Sequence, residues 1–258
     1  MWRGHAGRRG RFYNPHVIPR VYAPDATAVG ATIALGEDEA GHLVRVRRLG
    51  VGAEVRVFDG RGHEWRGTIR TASKAAATVA LEAATTPVTE ARIAYTVALA
   101  ALKADGTDEA VRDAVMLGAA AIRPFVSARS ETTLAALERG RRAERWGRIA
   151  VASAKQSGRA VVPPVHAPVA FETLLRETTA TRLLLVEPAC GEAVAIADVA
   201  APAAVTLAIG PEGGWAPAEV EAARAAGWIA VRLGGRILRA ESAPAVAVAA
   251  CQAVWRDA

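Results

Sequence analysis

Much that would define a function class is scarce in this 258-residue chain. It holds only 2 cysteines, Cys190 and Cys251, far apart, with no Cys-x-x-Cys and no neighbouring histidine pair. That spacing supports neither a disulfide framework nor a zinc site, so no metal is expected and two ordinary thiols fit a cytoplasmic protein. Aromatics make up 5% of the residues, and no uncharged apolar run approaches the roughly 18 residues a membrane span needs. The longest such run, Ala243 to Val254, contains Pro244 and Gln252, and no membrane association is expected. Residues 1–20 carry Arg3, Arg8, Arg9, Arg11 and Arg20 with no acid, but no apolar core of a signal peptide follows. Residues 1–17 therefore read as a basic N-terminal arm. Neither Gly-x-x-x-x-Gly-Lys-Ser/Thr nor a Gly-x-Gly-x-x-Gly after an opening strand occurs, which sets aside ATPase and ordinary dinucleotide-binding readings. Lysine is rare too: of 32 basic residues only Lys74, Lys103 and Lys155 are lysines, a bias that alanine abundance attributes to a GC-rich genome.

What is present is a folded, soluble composition, 52% hydrophobic and 22% charged, enough for one large domain or two modest ones. The charge is uneven. Residues 1–86 hold 13 Lys/Arg against 8 Asp/Glu, while residues 87–258 hold 19 against 18, so the first third carries nearly all of the net +6. A basic end of this kind is a candidate polyanion contact.

From about Val17 to Ala84 apolar residues mostly alternate, and Asp59-Gly60-Arg61-Gly62 between two such runs reads as a hairpin turn. Glu37 to Leu49 interrupts this β-rich module with a short helical segment that spaces His42, Arg45 and Arg48 three apart, on one side. After Thr85-Thr86-Pro87 the pattern becomes α/β. Strands are predicted at Ile93–Leu102, Ala121–Val126, Arg182–Glu187, Thr206–Ile209 and Ile229–Leu233. Helices are predicted over Asp108–Leu117, 139–155, Val169–Glu177 and Pro217–Ala226, with a final helix capped by Ser242.

Two glycine-bearing loops fall at the carboxyl ends of the last two strands, which this reading takes as neighbours: Ile209-Gly210-Pro211-Glu212-Gly213-Gly214, and Leu233-Gly234-Gly235 through Arg239-Ala240-Glu241-Ser242. Ligands of open α/β sheets bind at that edge. Glycines there let backbone groups approach a ligand closely, and Arg239 with Glu241 adds a cation and a carboxylate two residues apart.

These two loops, with Pro19-Arg20-Val21-Tyr22, His42 through Arg48, Phe58-Asp59-Gly60 and Gln156-Ser157-Gly158-Arg159, make the chain resemble the small-subunit ribosomal RNA uridine-N3 methyltransferase family of the SPOUT superfamily, from about Ile18 onward. The resemblance implies a PUA-like RNA-binding β-barrel over residues 18–86 and a trefoil-knotted α/β methyltransferase domain over residues 87–258. It also implies S-adenosylmethionine as cofactor, 16S rRNA of the 30S subunit as substrate, and a homodimer. Gly210, Pro211, Glu212, Gly213, Gly214, Leu233, Gly234, Ile237 and Leu238 would then line the cofactor pocket. Arg20, His42, Arg45 and Arg48 would hold RNA phosphates. Uridine N3 attacks a methyl group only after its imide proton leaves, which calls for a base and a cation. Glu241 is the candidate base and Arg239 the candidate cation; a local ion pair is the bland role for the two, and a charge at a helix N-terminus that for Glu212. Trp215, after the first loop, reads as a core or interface residue before a base-stacking one. Ala240 stands where the family usually has threonine, whereas Ser242 keeps a hydroxyl. Two rivals remain: a 2′-O-ribose methyltransferase, whose Asn-x-Gly motif is missing because Asn14 is the only asparagine, and a non-catalytic RNA-binding assembly factor.

Overall fold

The computed structural model describes residues 18–73, 75–177 and 181–257, so the basic arm expected over residues 1–17 lies outside the described residues. The chain divides into two compact units. One runs through Phe58 and resumes at Trp65–Thr85; the other comprises Asp59–Glu64 and everything from Thr86 onward.

In the first unit, β1 (Arg20–Tyr22), β2 (Thr32–Leu35), β3 (Glu54–Phe58), β4 (Glu64–Ala72) and β5 (Ala77–Thr85) form one sheet in the order β1-β3-β4-β5-β2. Alternation does what the sequence demands: Val55 and Val57 of β3 and Trp65 and Ile69 of β4 turn inward beside Val79 and Leu81. Gly67 is obligatory in that pattern, because a Cβ there would lie 2.6 Å from the Ala80 carbonyl oxygen. Helix α1 (Glu37–Gly41) passes into a π-helical turn, His42–Val46, that inserts Leu43 into the core. The single helical face expected for His42, Arg45 and Arg48 is not formed. The wider turn shifts the register after His42, and Arg48 leaves it at φ 57°.

The second unit is built on seven parallel strands: β6 (Ala94–Ala100), β7 (Ala121–Val126), β8 (Val169–Ala170), β9 (Thr181–Leu185), β10 (Val194–Ala195), β11 (Ala204–Ile209) and β12 (Ile229–Arg232). Their order is β10-β12-β9-β11-β6-β7-β8. Helices α2 (Gly106–Met116), α3 (Leu134–Arg139), α4 (Arg142–Ser157), α5 (Phe171–Glu177), α6 (Pro217–Ala225) and α7 (Ala243–Trp255) connect or close the sheet. Continuous apolar strand segments such as Val97–Ala100 and Leu183–Leu185 are buried, as parallel strands covered on both faces require. Gly118, at φ 98°, ends α2, and α6 starts with Pro217 while the Glu219 carboxylate accepts the Ala216 N–H at 2.9 Å.

Three expectations are corrected. The last two strands are not neighbours, because β9 lies between β11 and β12. The helix read over 139–155 starts at Arg142, because the chain breaks at Gly140-Arg141, where Arg141 adopts φ 47°, and Arg139 ends the helix before it. Ser242 stands at the N-cap of α7 but in helical conformation, φ −89° and ψ −23°, so its hydroxyl makes no capping bond.

Buried ionic groups fasten the ends of this unit. Asp257, after α7, accepts the Arg92 and Ile93 N–H groups at 2.9 and 3.0 Å and the Tyr95 hydroxyl at 3.1 Å. Arg159, 4% exposed, holds Glu90 and donates to the carbonyls of Val115 and Ala119. Cys251 is buried in α7, and burial pushes its thiol up to about 12, which keeps it protonated and inert.

Candidate functional site

The carboxyl ends of β11, β9 and β12, three neighbouring strands, enclose a cavity of about 510 Å³. Such volumes suit a small-molecule ligand. Each strand contributes the segment that follows it, and each is held in place by contacts from another.

The loop after β11 turns around an aromatic peg. Trp215 is 5% exposed, stacks on Phe125 at 5.9 Å with an interplanar angle of 5°, meets Phe171 at 5.0 Å, and donates its indole N–H to the Leu185 carbonyl at 2.7 Å. It is thus a core residue that ties the loop to the end of β9. A Cβ on Gly210 would lie 2.9 Å from the Trp215 ring, so only glycine lets the loop close over the indole. Gly214, at φ 66°, completes a turn whose N–H donates to the Pro211 carbonyl at 2.9 Å. Gly210, Pro211, Glu212 and Gly214 all line the cavity. Gly213 does not: its Cα lies against Arg129, whose guanidinium donates to the Gly213 carbonyl at 2.9 Å.

Glu212 does not sit on the N-terminus of the helix that follows, a place taken by Glu219. Its Oε1 accepts the Lys103 backbone N–H at 2.9 Å instead, joining the β11 loop to the segment after β6. The loop after β12 supplies Leu233, Gly234, Ile237 and Leu238 to the wall, together with Arg239 and Glu241. Ile237 is 72% exposed and Leu238 37%, unusual for side chains so apolar. Arg239 is exposed and stands 3.8 Å from Glu241, which is largely covered, a loose ion pair at the rim.

Sequence reasoning missed the contribution of β9. Leu185, Glu187 and Pro188 line the cavity beside Gly214, and a Cβ there would fall 3.1 Å from Glu187 Oε1. Arg236 was also missed. The available signal was a carboxylate ending the apolar run of β9, meaningful only once β9 is known to separate the two loop-bearing strands.

The four residues expected to hold RNA all lie in the first unit. The Arg20 guanidinium lies over the Phe58 ring, 4.5 Å from its centroid. His42 is partly buried on the π-helical turn; Arg45 and Arg48 are exposed and lack a carboxylate partner among the described residues. Among the described residues no cluster of histidine, cysteine or carboxylate suits a metal ion, and no helix is long and apolar enough to cross a membrane.

Residues 89–252 match the RNA methyltransferase domain family, and residues 35–82 match the RNA methyltransferase PUA domain. The chain is 35% identical over 241 residues to the ribosomal RNA small subunit methyltransferase E of Synechocystis, covering 91% of this chain and 77% of the relative. The chain belongs to the ribosomal RNA small subunit methyltransferase E family. The Mycobacterium bovis member is 33% identical, with 89% of each chain covered. The crystal structure of the Neisseria gonorrhoeae methyltransferase E, bound to S-adenosyl methionine, superposes with a TM-score of 0.85 at 31% identity, covering 93% of this chain and 98% of that one. Methyltransferase E relatives thus match both units and the parallel sheet that carries the cavity.

Proposed function

We infer that this chain transfers a methyl group from S-adenosylmethionine to N3 of a uridine in 16S rRNA of the small ribosomal subunit, acting in the cytoplasm as a homodimer. One observation carries the reading: the cavity across β11, β9 and β12, walled by loops that require Gly210 and Gly214, occurs in a family whose Neisseria member binds that sulfonium compound. The residues fit the cofactor. Leu233, Ile237 and Leu238 offer apolar wall, and the bends at Gly210, Gly214 and Gly234 bring backbone N–H and C=O groups to the cavity edge.

S-adenosylmethionine supplies an electrophilic methyl group when bound. The protein's task is to position the acceptor and manage its proton. We assign Glu241 to accept the N3 imide proton and Arg239 to stabilise the negative charge that spreads onto the uracil carbonyl oxygens. Their separation of 3.8 Å leaves the pair loose enough for a substrate to come between them. Arg20, His42, Arg45 and Arg48 are assigned to RNA phosphates, a contribution that weakens as salt rises. The exposed apolar pair Ile237 and Leu238 suits burial against a second copy of the chain.

Ribose methylation is disfavoured by the lack of any asparagine beyond Asn14. The test incubates the protein and labelled S-adenosylmethionine with small subunits from a strain lacking this chain, followed by nucleoside analysis of the RNA. Label is expected in 3-methyluridine alone. Label in a 2′-O-methyl nucleoside would establish the rival chemistry, and subunits bound but unlabelled would indicate an assembly factor.

A further inference from the structure

A second cavity, of about 380 Å³, opens on the same sheet edge over the carboxyl ends of β6 and β7, beside β11 in the strand order. The two cavities share a wall. Glu212, which lines the first, accepts the backbone N–H of Lys103, which lines the second. The segment after β7 braces the β11 loop through Arg129 to the Gly213 carbonyl, and the start of α6 through the Ala128 N–H to Glu219 at 2.8 Å.

The lining of the second cavity selects its ligand. Its charges are mostly cancelled internally: Lys103 pairs with Glu131, and Asp108 is buried against Arg145 while accepting the Trp146 indole N–H at 3.0 Å. Leu102, Ala104, Ala136 and Leu137 supply apolar surface. The apolar floor would offer a phosphate nothing, whereas a flat neutral ring would find apolar contact and polar edges there. Arg142 alone among the lining cations has no carboxylate partner among the described residues, so one cation remains for a phosphate attached to that ring. The backbone is strained here. Of the non-glycine residues with positive φ among those described, Ala104 at 45° lines the cavity and Arg141 at 47° lies between its lining residues Gly140 and Arg142. Such conformations concentrate at ligand sites.

We propose that this second cavity receives an unstacked base of the substrate RNA, that of a nucleotide directly next to the uridine to be methylated, with Arg142 on its phosphate. The proposal rests on the RNA methyltransferase reading above. It adds a site on the methyltransferase unit that reads the sequence around the target.

Ultraviolet crosslinking of the full chain, with S-adenosylhomocysteine present, to unmodified small subunits identifies the occupant by mass spectrometry of the joined peptides and nucleotides. Peptides carrying Lys103 to Thr107 or Glu131 to Leu137 are expected on a nucleotide directly next to the methylated uridine. Crosslinks elsewhere on the protein but none on these peptides, or crosslinks from these peptides only to the methylated uridine itself or to distant nucleotides, would overturn the proposal. A second measurement fills the cavity: Ala136→Trp should raise KM for subunits about tenfold, while calorimetry with S-adenosylhomocysteine shows that the fold and the first cavity are kept. An unchanged KM in Ala136→Trp contradicts the assignment. Failure of the wild-type chain to methylate subunits would instead count against the underlying reading, so the two failures are distinguishable.

Discussion

Arg239→Ala is expected to lower kcat on small subunits by about 10²- to 10³-fold, the usual cost of removing one group that stabilises charge developing on an oxygen. The arginine side chain is 86% exposed, and among the described residues its one ion pair is the loose one with Glu241. Its loss should therefore leave thermal stability and cofactor affinity unchanged, since surface substitutions of this kind rarely matter to folding. Arg239→Lys should recover only part of the rate, because an ammonium cannot offer the flat fork of donors that spans two positions on a uracil edge. Glu241→Gln should fall comparably, as expected when the group assigned to take the imide proton is gone. Wild-type kcat in Arg239→Ala would remove its assigned role.

The largest expected effect on stability comes from Asp257, just past the end of α7. In Asp257→Ala the N–H groups of Arg92 and Ile93 and the Tyr95 hydroxyl lose the carboxylate that binds them where α7 meets the start of β6. Leaving buried donors unsatisfied where a charge held them is expected to cost about 3–5 kcal/mol. Burial alone would raise the Asp257 carboxyl, but the bonds from Ile93, Tyr95 and Arg92 outweigh it and hold the group below the ordinary carboxylate range. Because the folded value is the lower one, Asp257 stabilises the fold fully above the unfolded value near 4 and loses that contribution as pH falls through the folded one. Denaturant unfolding between about pH 7 and pH 2 should show wild type losing stability over the acid range and Asp257→Ala losing less. Parallel curves for the two proteins would contradict this account of the clamp.

Which parts of this architecture could be read from the residues follows from how local their causes are. The β3–β4 hairpin is legible because alternation and turn chemistry act within a few residues: the Asp59 carboxylate accepts the N–H groups of Arg61 and His63 at 2.7 and 3.1 Å. Strands β6, β7 and β11 are legible as apolar runs bounded by breakers, and the loops after β11 and β12 as glycine clusters. Strand order is not local. Parallel strands are joined by crossovers, and nothing in the run Arg182 to Glu187 says that it will insert between β11 and β12. For that reason Glu187 and Pro188 escape a reading that finds both glycine loops. Adjacent glycines look alike in sequence, yet Gly214 faces the cavity at positive φ while Gly213 backs onto Arg129. Glu212 likewise reads as a helix-end charge until the fold brings the Lys103 N–H, more than a hundred residues away in sequence, to its carboxylate.

The central claim is that the edge formed by β11, β9 and β12 holds the methyl donor. Isothermal titration calorimetry of the full chain with S-adenosylmethionine and with S-adenosylhomocysteine tests it most directly, with Gly210→Val as the paired variant. The branched side chain of that variant must displace either the loop or the Trp215 ring, whose nearest atom lies 2.9 Å from the position of a Cβ. Saturable binding of both compounds by wild type, and at least about a tenfold loss in a folded Gly210→Val, is the predicted result. No heat of association with wild type, or full affinity in the variant, would contradict it.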